Sequence, residues 1–314
     1  MSLDSLPVNI VYFGSPDFAV PALRALVAHP HLARVIAVVT QPDKPSGRGQ
    51  KVGAPAVKIA AAAHDIPVFQ PTTLRTPESQ ALLAAYPADL FVVAAYGKIL
   101  PPAVLAMPRL GCVNLHASLL PKYRGAAPIT HAILNGEAKT GVCLMQMEEG
   151  LDTGGVYAHA TTPITDDDDA GTLTDRLAGI GAEVLIANLP ELAQGTLVVM
   201  AQSQGETYAG KIKKEDGRID WGKPAHTVFN HIRAFSPWPS AFAFLGEKRV
   251  QILKARATQS DATAAGTMFV KDSRLLVACA QGALDILELK PEGKRAMSAA
   301  EFLAGRPQLP AVLR

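Results

Sequence analysis

Val8-Asn9-Ile10-Val11-Tyr12-Phe13-Gly14 is apolar at every position but Asn9 until the glycine. A run with so little polar alternation reads as a strand buried on both faces, residues 8–13. Working outward, residues 21–28 predict a helix with proline near its start, and residues 35–40 a second apolar strand. Helical stretches at 54–64 and 78–86 then alternate with strands at 67–69, 90–95 and 112–116. That is the grammar of an α/β protein whose mostly parallel, Rossmann-like sheet is covered on both faces. Residues 172–192 predict a long closing helix, preceded by the aspartate run 166–169, read as a solvated loop, with Thr172 or Thr174 as cap. The Phe13-Gly14-Ser15-Pro16 turn lacks Gly-x-Gly-x-x-Gly and puts a proline where that motif needs backbone donors, which argues against a nicotinamide cofactor.

From about residue 195 the character changes. Lys211-Ile212-Lys213-Lys214-Glu215-Asp216-Gly217 is polar and charged, as a connecting segment is. Short apolar runs at 250–255, 266–270, 275–278 and 283–289 predict a small antiparallel β-barrel with a helix at 225–234 against it. The division expected is a catalytic domain over 1–195, a linker over 196–213 and a second domain over 214–314. A length of 314 residues suits two domains, and 48% hydrophobic with 18% charged residues excludes a disordered or fibrous chain. Cys112, Cys143 and Cys279 are scattered and odd in number, so neither a disulfide framework nor a zinc site is expected. No segment has the apolar length of a membrane span, and the expected compartment is the cytoplasm.

The chemistry concentrates in Gly111 to Gly155. Alternation along the strand 112–116 sends Asn114 and His116 to one face, and Ser118-Leu119-Leu120-Pro121 follows as an apolar loop suited to a pocket wall. Asp152 sits between Gly150 and Gly154, glycines that permit a tight turn and a close approach to the imidazole. Such a set suits acyl transfer to an amine. Asn114 would donate to the carbonyl oxygen as it becomes negative. His116 would carry a proton or donate to that oxygen when charged, and Asp152 would orient it or pass the amine's proton through a water to the leaving nitrogen. An α-amino group, with a pKa of about 7.7 to 8.0, needs no strong base to become a nucleophile near neutral pH.

With Asn-x-His-x-Ser-Leu-Leu-Pro at 114–121 and Gly-x-Asp-Thr-Gly at 150–154, the chain resembles the folate-dependent formyltransferases over its whole length. The resemblance implies that Asn114, His116 and Asp152 are the catalytic residues, and that no metal is used. It implies 10-formyltetrahydrofolate as formyl donor, held near Ser118, Leu119, Leu120, Pro121, Ile99, Leu100 and Gly150. It also implies an OB-like barrel in the second domain. Of the acceptors it suggests, methionyl initiator tRNA is preferred, with Phe13, Gly14 and Ser15 near the aminoacyl end and the protein acting as a monomer.

Charge bears on that acceptor. Residues 1–205 carry 13 basic against 17 acidic side chains, and residues 206–314 carry 17 against 11. Either a solvated surface or a face for a phosphate backbone accounts for this. The segment 41–51, Gln-Pro-Asp-Lys-Pro-Ser-Gly-Arg-Gly-Gln-Lys, tips the balance, because it is longer and more basic than an α/β connection requires. By resemblance it engages the acceptor stem through Lys44, Arg48 and Lys51. The alternatives are formylation of a nucleotide-linked amino sugar, hydrolysis of formyl-folate, or a tRNA-binding protein with a decayed site. A small acceptor would need neither the loop nor the basic domain, and an intact Asn, His and Asp set argues against decay.

Overall fold

In a computed structural model of the protein, residues 6–46, 51–260, 264–305 and 307–314 are described. β1 (Val8–Gly14) lies inside a sheet with β2 (Ala33–Val39) and, on its other side, β6 (Leu90–Ala94), both parallel to it. Its apolar run is explained by burial on both faces: Val8, Ile10, Val11, Tyr12 and Phe13 are all fully buried. α1 (Val20–Ala28) has Pro21 in its first turn, where a missing N–H costs nothing, and buries Ala22, Leu23 and Leu26.

Within the long segment 41–51, β3 (Lys44–Ser46) pairs antiparallel with β4 (Lys51–Gly53), which opens at the segment's last residue. α2 (Ala56–Ala62), β5 (Val68–Phe69) and α3 (Pro77–Ala84) follow, then β6, α4 (Pro102–Leu105) and β7 (Cys112–His116). Beyond these come β8 (Arg124–Gly125), α5 (Pro128–Leu134), β9 (Lys139–Gln146), β10 (Val156–Pro163) and the long α6 (Ala170–Gln194). The main sheet runs β10-β9-β7-β6-β1-β2-β5, with β7 antiparallel to β9 and parallel to β6.

This order positions the site. The chain leaves β1 through β2 and β5, then returns to β6 and β7 on the other side of β1. Between β1 and β6 the winding reverses, and open α/β sheets bind ligands at the carboxyl ends of strands beside such a reversal. Gly14, at that end of β1, is required there. A Cβ on it would lie 2.7 Å from the Ala19 Cβ and 3.0 Å from the Ala94 carbonyl oxygen.

The chain separates into two compact units that are not simple halves. One holds the residues up to Pro128 with Thr140–Thr162 and Thr174–Ala209, the other Ile129–Lys139, Pro163–Leu173 and Gly210–Arg314. β11 (Tyr208–Ala209), at the end of the first unit, pairs in parallel with β8.

In the second unit, α7 (Ala225–Ala234) accompanies β12 (Phe242–Leu245), β13 (Lys248–Thr258), β14 (Thr267–Lys271), β15 (Arg274–Ala278), β16 (Ala283–Pro291), β17 (Met297–Ser298), α8 (Ala299–Ala304) and β18 (Ala311–Val312). The order β12-β13-β16-β15-β14-β18 closes into a barrel where Phe244 and Arg314 exchange backbone hydrogen bonds of 2.7 and 2.9 Å. Val228 and Ile232 of α7 join Ile252, Leu275, Val277, Leu284 and Leu289 in its core. Each such side chain contributes about 1.5–3 kcal/mol by leaving water.

The aspartate run is a loop whose first half, Asp166 and Asp167, is exposed as expected, whereas its second half is engaged. Asp168 is 6% exposed and accepts from the Thr165 N–H and hydroxyl at 2.7 and 3.0 Å. The cap of α6 is Asp169, whose Oδ1 accepts from the Thr172 N–H at 2.8 Å while its own N–H donates to Thr172 Oγ1 at 3.0 Å. No helix among the described residues is long and apolar enough to cross a membrane.

Candidate active site

β7 supplies two of the three candidate catalytic side chains. Its neighbours fix their heights, with Asn114 beside Val93 of β6 and Met145 of β9, and His116 beside Cys143. Asn114 is half-buried, and its amide has no hydrogen-bond partner among the described residues. Both of its N–H donors are therefore available to a ligand.

His116 is 5% exposed, and its Nε2 lies 2.9 Å from the Tyr123 carbonyl oxygen. A carbonyl can only accept, so Nε2 carries the proton of the neutral ring and Nδ1 is its basic atom. Nδ1 faces Asp152 Oδ2 at 3.7 Å, too long for a hydrogen bond but short enough for an ion pair once Nδ1 is protonated.

Asp152 has a left-handed backbone, φ 52°, which Asp tolerates better than most side chains. The turn around it is tight. A Cβ at Gly150 would collide with the Thr153 side chain, and one at Gly154 with the Gln146 carbonyl. Asp152 Oδ2 accepts from the Gly125 N–H at 2.8 Å. Oδ1 has no partner among the described residues, leaving one carboxylate oxygen able to take a proton.

Ser118 is buried and holds the apolar loop rather than facing outward. Its hydroxyl donates to the Lys122 carbonyl at 2.5 Å, and the Lys122 N–H donates to the Leu119 carbonyl at 3.2 Å. Leu119, Leu120 and Pro121 stay half-buried on this braced turn. Ile99 is 68% exposed and Gly150 is exposed, whereas Leu100 belongs to the sheet's core.

Of the residues expected near the acceptor, Phe13 is fully buried, its ring 5.1 Å from Phe91 and 5.5 Å from Tyr96. Gly14 and Ser15 present the strand end. Ser15 Oγ accepts from the Gln41 N–H at 3.0 Å, and the Gln41 side chain donates to the Tyr96 carbonyl at 2.9 Å. Lys44 is exposed and donates to Gln41 Oε1 at 3.1 Å, so Gln41 joins the crevice to the root of the basic hairpin. Lys58 and Gln70 both bond Asp43, which pulls its carboxyl below the ordinary range, the Lys58 hydrogen bond contributing most. Burial, and then the charge of Lys44, lowers the Lys98 ammonium. Arg48 lies outside the described residues, and Lys51 falls in β4.

The groups not foreseen are the Tyr123 carbonyl and the Gly125 amide, both backbone, together with Arg124 and Gln202. The polar tract that carries Gln202 has no motif. Burial pushes the Cys143 thiol to about 11 and Cys112 to about 12, which leaves both unreactive.

A strand that presents a free amide beside an imidazole and a carboxylate is equipped for acyl transfer. The family model described as formyl transferase matches residues 8–189, and the one described as formyl transferase, C-terminal domain, matches residues 211–307. The chain belongs to the formyl transferase family, a family of transferase enzymes. Among curated relatives it is similar to the methionyl-tRNA formyltransferase of Thiobacillus denitrificans, at 49% identity over 95% of this chain and 97% of that one. It is equally similar to the methionyl-tRNA formyltransferase of Xanthomonas axonopodis pv. citri, at 49% identity over 97% of this chain and 100% of that one. Among solved structures, WlaRD, a sugar 3N-formyl transferase, shares the fold with a TM-score of 0.67 at 19% identity, over 92% of this chain and 99% of that one. HypX from Aquifex aeolicus in complex with tetrahydrofolic acid gives 0.63 at 17% identity, over 95% of this chain and 47% of that one, so the chain spans about half of it.

Proposed function

We propose that this protein transfers the formyl group of 10-formyltetrahydrofolate to the α-amino group of methionyl initiator tRNA. The observation that carries the acceptor is the similarity to relatives named methionyl-tRNA formyltransferase, which spans nearly all of both chains. In this reading 1–195 is the catalytic domain, 196–213 the link and 214–314 the OB-like tRNA-binding domain, in a cytoplasmic monomer. Ser118 to Pro121, Ile99, Leu100 and Gly150 surround the donor. Lys44, Arg48 and Lys51 engage the acceptor stem, and Phe13 to Ser15 border the aminoacyl end.

The chain's own groups divide the work. Asn114 donates its unengaged N–H groups to the formyl oxygen, which becomes negative as the new carbon–nitrogen bond forms. Asp152 Oδ1 takes the proton that the amine loses, and the leaving nitrogen receives one as the old carbon–nitrogen bond breaks, so no proton is gained or lost overall. His116 holds Nδ1 towards Asp152, and a proton there offsets the carboxylate's charge.

The test is formyl transfer from 10-formyltetrahydrofolate in three parallel reactions: with methionyl initiator tRNA, with a nucleotide-linked amino sugar, and in water alone. Formylation of the charged tRNA alone is the expected result. Transfer to the sugar, or hydrolysis only, would overturn the acceptor.

A further inference from the structure

Gln202 lies 50 residues beyond Asp152, on the segment that leads into β11, yet its side chain is bonded into the turn that carries Asp152. Its Nε2 donates to the Asp152 and Gly154 carbonyls, both at 2.8 Å. Its Oε1 accepts from Arg124 twice, from Nε at 3.1 Å and from Nη2 at 2.8 Å. Two N–H donors and two acceptor lone pairs are the whole capacity of a primary amide, and here all are used. Rotating the amide by half a turn would set oxygen against the carbonyls and N–H against the guanidinium, so the partners fix its orientation.

Arg124 is the other jaw. The residue after it, Gly125, has φ 114° and donates its N–H to Asp152 Oδ2 at 2.8 Å. Arg124 itself is zipped to the same incoming segment, its N–H donating to the Thr207 carbonyl at 2.8 Å, and Ala126 N–H does the same to Ala209. The Asp152 turn is thus gripped at its main chain by Gln202 and at its carboxylate by Gly125, and the Arg124–Gln202 fork ties the two grips together.

The geometry points to Gln202 as a positioning residue for Asp152, acting with Arg124 to hold the carboxylate where it exchanges protons. This rests on the proposed reading only in giving Asp152 a proton to carry. Without the clamp a left-handed aspartate in a glycine-flanked turn has little else to fix it, and a misplacement of about 1 Å at a reacting group costs about a hundredfold in rate.

The informative substitution is Gln202→Glu. It keeps the length and the oxygen facing Arg124, but turns a second oxygen, without a proton, on the two carbonyls. In the full-length protein kcat for formyl transfer should fall about 10- to 100-fold with KM for either substrate little changed. In an Asp152→Asn background the same change should cost almost nothing more, because the positioned charge is already gone. Independently of any substrate, amide hydrogen exchange at Gly125, followed by NMR, should speed up in Gln202→Glu and likewise in Asp152→Ala, which removes the acceptor of the Gly125 N–H. Gln202→Met, which removes the polar group without adding charge, serves if Gln202→Glu unfolds. Normal kcat and normal Gly125 protection would overturn the proposal, as would a loss that multiplies fully with Asp152→Asn. Faster Gly125 exchange in a protein whose wild type formylates no tRNA would leave the clamp standing and remove the acceptor instead.

Discussion

His116 Nδ1 and Asp152 Oδ2 stand 3.7 Å apart, and each group is committed elsewhere by a stronger bond, His116 to the Tyr123 carbonyl and Asp152 to the Gly125 amide. The pair is therefore held in place by its surroundings and not by a bond between the two groups. Asp152→Asn preserves this frame, since Asn tolerates a left-handed backbone and its oxygen can still accept from Gly125. Turnover should nevertheless fall by about 10²- to 10⁴-fold, the range of a lost proton carrier, with tRNA KM nearly unchanged. Steady-state kinetics on the two proteins test this, and wild-type kcat in Asp152→Asn would remove the carboxylate from the reaction.

Asn114 works through a donor rather than a charge. Asn114→Ala deletes N–H groups that no described residue uses, so stability should change little while kcat drops about 10²- to 10³-fold. Donor binding, followed by fluorescence quenching, should be almost unaltered. A large loss of donor affinity with normal kcat would make Asn114 a binding residue instead.

Side-chain periodicity made much of this legible, and backbone chemistry the rest obscure. The apolar run of β1 could only be buried on both faces, and two-residue spacing put Asn114 and His116 together whatever the rest of the fold did. Asp152 was marked by the glycines around it, which the structure shows pressed against the Thr153 side chain and the Gln146 carbonyl. The Tyr123 carbonyl and the Gly125 N–H had no signal, because every residue carries the former and nearly every residue the latter. Asp169 displaced Thr172 as cap of α6 through a reciprocal pair that local propensity ranks evenly. β12 and β18 were missed because such short edges gain their order from the closure between Phe244 and Arg314.

Lys44 of β3 offers a test of the basic hairpin. It is exposed, and its charge acts on Lys98, so the two cations make a local field suited to a phosphate. Lys44→Ala should lower kcat/KM for charged tRNA and reduce the slope of log(kcat/KM) against log[salt] by about one. Donor binding should be unaffected. An unchanged salt slope would take the hairpin out of the tRNA path.

His231 in α7 predicts how the barrel unit responds to acid. Its ring stands 4.6 Å from Phe235, and among the described residues its buried Nε2 has no hydrogen-bond partner. Burial lowers its pKa, against a smaller upward pull from the Gly217 backbone and the charges of Asp216 and Asp220. A histidine depressed in the folded state is neutral there while the unfolded chain still binds a proton near its ordinary value of about 6.5. Its contribution to stability is complete above that value and is lost as pH falls towards the folded-state pKa. The thermal midpoint of the wild type should therefore drop more steeply from about pH 7 to about pH 5 than that of His231→Gln, which has nothing to titrate. Parallel melting curves across that range decide it: if the two proteins lose stability equally, His231 is already free to take a proton in the folded barrel.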